Sequence, residues 1–464
     1  MTIRSRSDLR PAQERAISFA KKQERCALWV PMGGGKSVIG WTAFADLYRS
    51  FESRRMLIVG PLRVARKVWP DEQRAWSHLG GLDIAPIVGN ADERMKALRT
   101  PADVHTVGRD NIPWLEAQFI ANRKQYRRWP WDTVIVDESQ SFKNPGGVWH
   151  KAMNRLLDPR LTTRVIEATG TPSPNGYQDL YGQIYLLDRG KSLGLTPTAF
   201  EDRYFVSERS AEGYTKLRLR EGADELIREA IKHLVFSMTT VEQKTLPETN
   251  FIRVDLPPAA RQKYKEFERE LFAEIASRKL NAANAAVLAG KLLQFANGAV
   301  YYDDKGSWIE THTAKLDALV EVLEGLPTPV MVPYGFQHDR DRIGAALTKA
   351  GLKWELLSSD DSFDRFAAGK IDYGVLHPGS CGHGLNDLYL SGAENIVWFG
   401  LTNNLEHYQQ LNARLTGGFR ALGRNITIHH IVADDTKDDD LVPLLRRKDV
   451  SQSDLMKAMA EFRN

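Results

Sequence analysis

Between a short apolar run at residues 27–30 and an amphipathic stretch at 38–48 stands Pro31-Met32-Gly33-Gly34-Gly35-Lys36-Ser37. Three glycines let backbone N–H groups turn inward around phosphate oxygens, and the following helix N-terminus adds partial positive charge. Lys36 is then placed for the β- and γ-phosphates and Ser37 for a Mg²⁺ ligand position. A loop of this kind needs a strand before it and a helix after it, which commits the chain to α/β layers. Met32, Gly33, Gly34, Gly35, Lys36 and Ser37 are the candidate nucleotide-binding residues. The full GxxxxGK[ST] form is not met, because Val30 occupies the first glycine position. A flexible glycine-rich turn is the competing reading, and the strand–helix context weighs against it.

A second signal is Thr133-Val134-Ile135-Val136-Asp137-Glu138, an apolar run ending in two acids. One carboxylate suits Mg²⁺ and the other suits an attacking water. Alone, the pair would read as a solvated strand end. About 100 residues after a phosphate loop, it reads as the acidic element of the same site, with Asp137 on the metal and Glu138 on the water.

The rest of the chain follows the alternation that the loop implies. Strands are expected at 27–30, 56–59, 104–107, 133–136 and 164–168, with helix-period segments such as 38–48 and 64–76 between them. Alternating strands and helices make a mostly parallel sheet covered on both faces. The pattern breaks at 174–232, which reads mainly as helices and polar loop. It breaks again at 257–296, with long helical patterns around 264–275 and 285–294. Alternation then restarts, with strands at 330–332, 354–357, 373–376, 395–399 and 426–431, and one or two closing helices at 441–462. At roughly 150 residues per domain, 464 residues suggest about three folding units. The division expected is a first lobe at 1–245 with its helical insertion at 174–232, a helical insertion or linker at 246–305, and a second lobe at 306–464.

Composition excludes several classes. Charged residues make up 26% and apolar residues 42%, which is ordinary for a globular enzyme and rules out wholesale disorder. No run approaches the ~18 apolar residues of a membrane span, and the start lacks the apolar core of a signal peptide. Cys26 and Cys381 make neither a disulfide framework nor a metal cluster, so a cytoplasmic protein is expected. The net charge of +4 leaves nucleic acid open as a partner, since a local basic surface is sufficient.

Further motifs carry a family resemblance. Leu9-Arg10-Pro11-Ala12-Gln13, the glycine loop, Gly60-Pro61-Leu62, Asp137-Glu138-Ser139-Gln140 and Thr169-Gly170-Thr171-Pro172 occur in the order of superfamily 2 helicase motifs. Phe142-Lys143-Asn144 and Asp179-Leu180-Tyr181 narrow this. The stretch from His377 to Asn386 and Gln409-Gln410-Leu411-Asn412-Ala413-Arg414 continue it. Over nearly its whole length the chain resembles Swi/Snf-type helicase-like ATPases, particularly the short phage-encoded forms.

That resemblance implies an α/β fold of two RecA-like parallel-sheet lobes (the P-loop NTPase class) with helical insertions, clamping ATP and Mg²⁺ and stepping along duplex DNA. It implies that Gln13 reads the adenine edge with Arg10 in support, and that Thr169 and Thr171 couple the nucleotide site to the DNA path. In the second lobe, Gly382, Gly384 and Asn386 suit a loop approached closely by a ligand. Gln410 and Arg414, four residues apart, share a helix face. A solvated helix face would look the same, but the motif order assigns Gln410 to the nucleotide and Arg414 to phosphate. The family's second arginine, three residues later, is replaced by Gly417. Gly417-Gly418 is expected to end the helix and to let Arg420 return as the missing arginine, with Arg424 as fallback. Arg420 on DNA phosphate or in solvent is the competing role.

The basic run at 123–129 suits phosphate contacts or a solvated linker equally. Trp114, Trp131 and Trp149 are expected in cores, and His377 with His383 makes a poor metal site. The function expected is an ATP-dependent, sequence-independent translocase on duplex or branched DNA, monomeric, remodelling forks or junctions with a possible nuclease or replication partner. An RNA helicase of the same superfamily and a DNA-binding scaffold with a decayed ATPase are the alternatives.

Overall fold

The computed structural model describes residues 3–121, 129–209, 215–238, 247–277, 282–381, 388–402, 404–422 and 426–461. The first strands in chain order are β1 (Arg25–Trp29), β2 (Met56–Gly60), β3 (Ile84–Ile87), β4 (Val104–Gly108), β5 (Thr133–Asp137) and β6 (Arg164–Thr169). β7 (Phe205–Arg209) and β8 (Thr215–Leu219) form a small two-stranded sheet, and β9 (Val235–Ser237) follows. The later strands are β10 (Glu248–Val254), β11 (Ala299–Tyr301), β12 (Trp308–Glu310), β13 (Val330–Pro333), β14 (Trp354–Leu356), β15 (Tyr373–Leu376), β16 (Asn395–Trp398) and β17 (Thr427–Ala433).

Two parallel sheets dominate. The first has the order β3-β4-β2-β5-β6-β1-β9, and the second β10-β17-β16-β13-β15-β14. Every pairing in both is parallel. The expected pair of α/β lobes is therefore what the chain forms. The chain divides into two compact units. One comprises Met1–Val206, Arg218–Glu242 and Asp449–Asn464, and the other Ser207–Leu217 and Gln243–Lys448.

Burial explains the strand sequences. β2, β4 and β5 are buried at every residue, as expected for strands covered on both faces. In the second unit the alternation sorts residues into two cores. Met331, Ile396, Trp398 and Ile428 join one cluster, while Val330, Val332, Val397 and Ile431 join the other. Successive side chains of a strand point to opposite faces, so this division places a packed layer on each side of the sheet.

Several expectations need correction. The break at 174–232 contains the whole small sheet of β7 and β8 as well as helices, and 246–305 is not purely helical. β10 pairs with β17 along seven residues, from Glu248 opposite Thr427 to Val254 opposite Ala433. Its residues are exposed or half-buried, because it forms the rim of the sheet, so no apolar run marks it. The helix expected to stop at Gly417-Gly418 runs unbroken from Leu405 to Leu422. Each glycine costs a helix about 1 kcal/mol relative to alanine. The buried face carrying Leu411 and Leu415 outweighs that cost. Of the three tryptophans expected in cores, Trp131 is buried. Trp114 and Trp149 are half-buried, beneath Arg94 and Arg109 respectively.

Candidate active site

In the first unit β5, β6 and β1 lie side by side, with Trp29 opposite Thr169 and Asp137 opposite Ala168. Parallel strands in register end on the same edge. The glycine loop, the acid pair and the Thr-Gly-Thr-Pro segment are therefore brought together, at the carboxyl ends where open α/β sheets bind ligands. Val30 N–H donates to Thr169 O at 2.9 Å, tying the start of the loop to β6.

The loop's departure from the usual pattern has a local compensation. Val30 packs against Gly34, where an added Cβ would sit 2.5 Å from Val30 Cγ1. Gly35 caps the 14-residue helix Lys36–Arg49 in a left-handed conformation, φ +90°. A Cβ there would lie 2.2 Å from Gln13 Nε2, so both its φ and its surroundings require glycine. Gln13 is buried in the helix Pro11–Lys22. Its Nε2–H donates to Gly34 O at 2.9 Å, and its Oε1 accepts from Arg10 N–H at 2.8 Å. Arg10 Nη2–H donates to Gly34 O at 2.7 Å and to Gly33 O at 3.3 Å. In this structure the two residues brace the loop, and each end of the Gln13 amide keeps one further hydrogen-bonding position.

Asp137 and Glu138 have different environments. Asp137 is buried at the end of β5, with Oδ2 accepting from Trp69 Nε1–H at 2.9 Å and Oδ1 from Glu138 N–H at 3.0 Å. Burial, then the neighbouring Glu138 charge, pushes its carboxyl up to about 6, against the opposing pull of Lys36 and the Trp69 donor. Glu138 takes the left-handed backbone, φ +53°, a strained state for a non-glycine residue of the kind that gathers at functional sites. Lys36 Nζ lies 3.6 Å from Glu138 Oε1.

From Glu138 a buried polar chain runs to the Thr-Gly-Thr-Pro segment. Gln140 Nε2–H donates to Glu138 Oε2 at 2.9 Å, and Thr169 Oγ1–H donates to Gln140 Oε1 at 2.6 Å. Thr171 N–H then donates to Thr169 Oγ1 at 3.0 Å. Thr171 Oγ1 is buried and has no hydrogen-bond partner among the described residues. Gln140 stood in the sequence only as a motif letter, and Trp69 only as part of a helical pattern. Neither signal names a partner, since the contacts depend on the fold.

In the second unit, Gln410 is buried on the helix Leu405–Leu422 and donates Nε2–H to Glu406 Oε1 at 3.0 Å, while Arg414 is half-buried one turn later. Gly384, Asn386 and Arg424 lie outside the described residues. Arg420 is on the same continuous helix, not in a loop, and its side chain is also outside them. Six residues along a helix carry its backbone about 9 Å beyond Arg414, so the expected return turn is absent.

The donor set in the first unit fits a polyphosphate bearing a hard divalent cation. The loop offers backbone N–H groups and the Lys36 ammonium to phosphate oxygens, while Ser37 hydroxyl and Asp137 carboxylate suit the cation. Among the described residues there is no group of three or more His, Cys, Asp or Glu side chains that would make a separate metal centre. Nor is any helix among them long and apolar enough to cross a membrane.

A family model described as the SNF2-related domain matches residues 15–297. Protein p41 of Acyrthosiphon pisum secondary endosymbiont phage 1 is 36% identical over 463 residues, covering 97% of this chain and 98% of that one. The SWI/SNF-related matrix-associated actin-dependent regulator of chromatin subfamily A-like protein 1 of Bos taurus is 25% identical over 472 residues. That match covers 95% of this chain but 44% of the cattle protein. Among solved structures, the Hef helicase domain of Pyrococcus furiosus aligns with a TM-score of 0.53 at 15% identity, covering 96% of this chain and all of that one. This last likeness concerns the fold alone.

Proposed function

Since the chain belongs to the SNF2-related domain family, we propose that its helicase-like ATPase core is an ATP-driven motor on duplex DNA. The observation that carries the reading is the cluster at the carboxyl edge of the first sheet. Lys36 stands 3.6 Å from Glu138, beside the buried Asp137 and a glycine loop capping a helix. This is the equipment of phosphoryl transfer, where catalysis is mostly positioning and charge stabilisation.

In the proposed cycle the loop N–H groups and Lys36 bind the phosphates, and Gln13 turns its remaining amide positions to adenine. Ser37 and Asp137 would hold Mg²⁺, which would supply positive charge against that building on the phosphate oxygens. Glu138 orients the attacking water and accepts its proton. Its hydrogen bond to Gln140, and Gln140's to Thr169, support Thr169 and Thr171 as the route from nucleotide to DNA path. On the second unit Gln410, Gly384 and Asn386 are assigned to nucleotide and Arg414 to phosphate. Duplex DNA as the track is supported by the family and by the words 'regulator of chromatin' in the cattle relative's name. Fork or junction remodelling is the work we assign to the motor.

The test is steady-state ATP hydrolysis with no nucleic acid, duplex DNA, single-stranded DNA and RNA. Strong stimulation by duplex is expected, falling steeply with salt as released counterions dictate. Stimulation by RNA but not duplex would make the chain an RNA helicase. Binding of DNA without hydrolysis under any condition would make it a scaffold.

A further inference from the structure

Trp69 opens the helix Trp69–Ala75, directly after a single π-turn at Val64–Val68. Its ring is fully buried in the first unit's core, and its one polar atom donates to Asp137 Oδ2 at 2.9 Å. A buried indole N–H needs an acceptor. Here the acceptor is the carboxylate that the proposed function gives to Mg²⁺, whose other oxygen receives Glu138 N–H at 3.0 Å. The surroundings hold the indole in place. Trp41 Nε1–H donates to Trp69 O at 3.0 Å, with the two ring centroids 6.1 Å apart. Gly40 leaves room for the ring, since a Cβ there would lie 2.8 Å from Trp69 Cη2. π-Turns inside helices occur frequently at functional sites.

We infer that Trp69 is a positioning residue for the divalent cation. Its N–H orients the Asp137 carboxylate before the metal arrives, and its ring keeps water from the back of that carboxylate. The cation then meets an ordered ligand instead of one that must be ordered on binding. Partners that hydrogen-bond a ligating carboxylate are typically worth 10–100-fold in metal affinity or activity. The inference rests on the reading of Asp137 as a Mg²⁺ ligand.

The experiment measures equilibrium binding of a fluorescent ATP analogue, first in EDTA and then across a Mg²⁺ titration. The proteins are wild type, Trp69→Phe, Gly40→Ala and Trp76→Phe. Trp69→Phe keeps an aromatic ring without the donor, and Gly40→Ala keeps the donor but crowds the ring and the neighbouring Ile135 side chain, whose Cδ1 a Cβ would meet at 2.9 Å. Trp76→Phe controls for loss of a buried indole in the same core, because its Nε1 bonds Glu72 Oε1 and not Asp137. Trp69→Phe and Gly40→Ala are expected to bind the analogue normally in EDTA and to need about tenfold more Mg²⁺ for half-maximal enhancement. Trp76→Phe should follow wild type in both measurements. An unchanged Mg²⁺ requirement in Trp69→Phe overturns the inference, as does equal weakening with and without Mg²⁺, which marks a purely structural residue. Should Trp69→Phe not fold, Gly40→Ala decides alone by the same criteria. If wild type itself shows no Mg²⁺-dependent binding, the proposed function falls and takes this inference with it.

Discussion

Replacing Thr169 by valine removes one hydroxyl, keeps the β-branched shape, and so isolates the polar chain between Glu138 and the Thr-Gly-Thr-Pro segment. Thr169 Oγ1 gives a hydrogen bond to Gln140 Oε1 at 2.6 Å and receives one from Thr171 N–H at 3.0 Å, and all three residues are buried. A buried polar group deprived of its partner costs about 1–3 kcal/mol. Two groups lose theirs here, giving about 2–6 kcal/mol. With a urea slope of ~1–3 kcal/mol/M the unfolding midpoint should fall by about 0.7 M or more. Thr169→Ser retains the hydroxyl and should keep most of the wild-type midpoint. The functional expectation is sharper, because the same hydroxyl joins the proposed catalytic carboxylate of Glu138 to the proposed DNA path. Thr169→Val should retain its basal ATPase below the unfolding transition and lose the additional turnover caused by duplex DNA. Urea unfolding and ATPase assays with and without duplex test both. A midpoint within about 0.2 M of wild type, together with full duplex stimulation, would show that the hydroxyl carries neither role.

Other expectations follow from the same geometry. Lys36→Ala should abolish turnover and leave the fold intact by circular dichroism. Glu138→Gln should keep nucleotide binding and lose hydrolysis, because the amide cannot act as a base; normal hydrolysis in either variant contradicts the assignment. Glu167 lies buried in β6 with neither carboxyl oxygen hydrogen-bonded among the described residues, and burial pushes its carboxyl well above the ordinary value of 4.5. The folded state then keeps a proton that the unfolded chain releases above pH ~4.5, so stability falls with rising pH until the folded group also ionises. Glu167→Gln should remove that fall, and its stability advantage over wild type should be larger at pH 8 than at pH 5. Identical pH dependence in the two proteins would show that Glu167 is ionised in the fold. Arg414→Ala should slow single-turnover hydrolysis by a factor approaching the ~10³–10⁵ of a catalytic arginine. Arg420→Ala should hydrolyse near the wild-type rate, and the opposite ranking would restore Arg420 as the finger.

The interior strands were legible because both faces of each sheet are covered. β2, β5 and β15 are runs of buried residues with turn signals at their ends, and their positions could be read within a residue. The rims were not. β10 pairs on one side only, its exposed residues are polar, and its sequence Glu-Thr-Asn-Phe-Ile-Arg-Val shows no run long enough to mark it. β9 is three residues long and gives too short a pattern to distinguish from the end of the preceding helix. Gly417-Gly418 misled for a different reason. Local propensity favours a break there, and the packed leucines of the same helix override it. At the site, the loop and the acid pair announce their chemistry because backbone freedom and charge are properties of residue type. The Trp69–Asp137 hydrogen bond spans 68 residues of chain and the Thr169–Gln140 bond spans 29. Only the strand order β2-β5-β6-β1, which no local pattern encodes, brings such groups together.

Displacement of the third strand from a DNA triplex reports movement along duplex DNA itself, because a motor moving along duplex strips that strand without unwinding the duplex beneath it. The protein is loaded on a duplex flank beside the triplex, and release of the labelled third strand is followed over time with ATP, with a non-hydrolysable analogue, and with Glu138→Gln. Release is expected to require hydrolysable ATP, to slow as the flank is separated from the triplex, and to vanish in Glu138→Gln. Duplex-stimulated ATP hydrolysis with no strand release at any flank length would contradict that expectation, leaving an ATPase that binds DNA without moving along it.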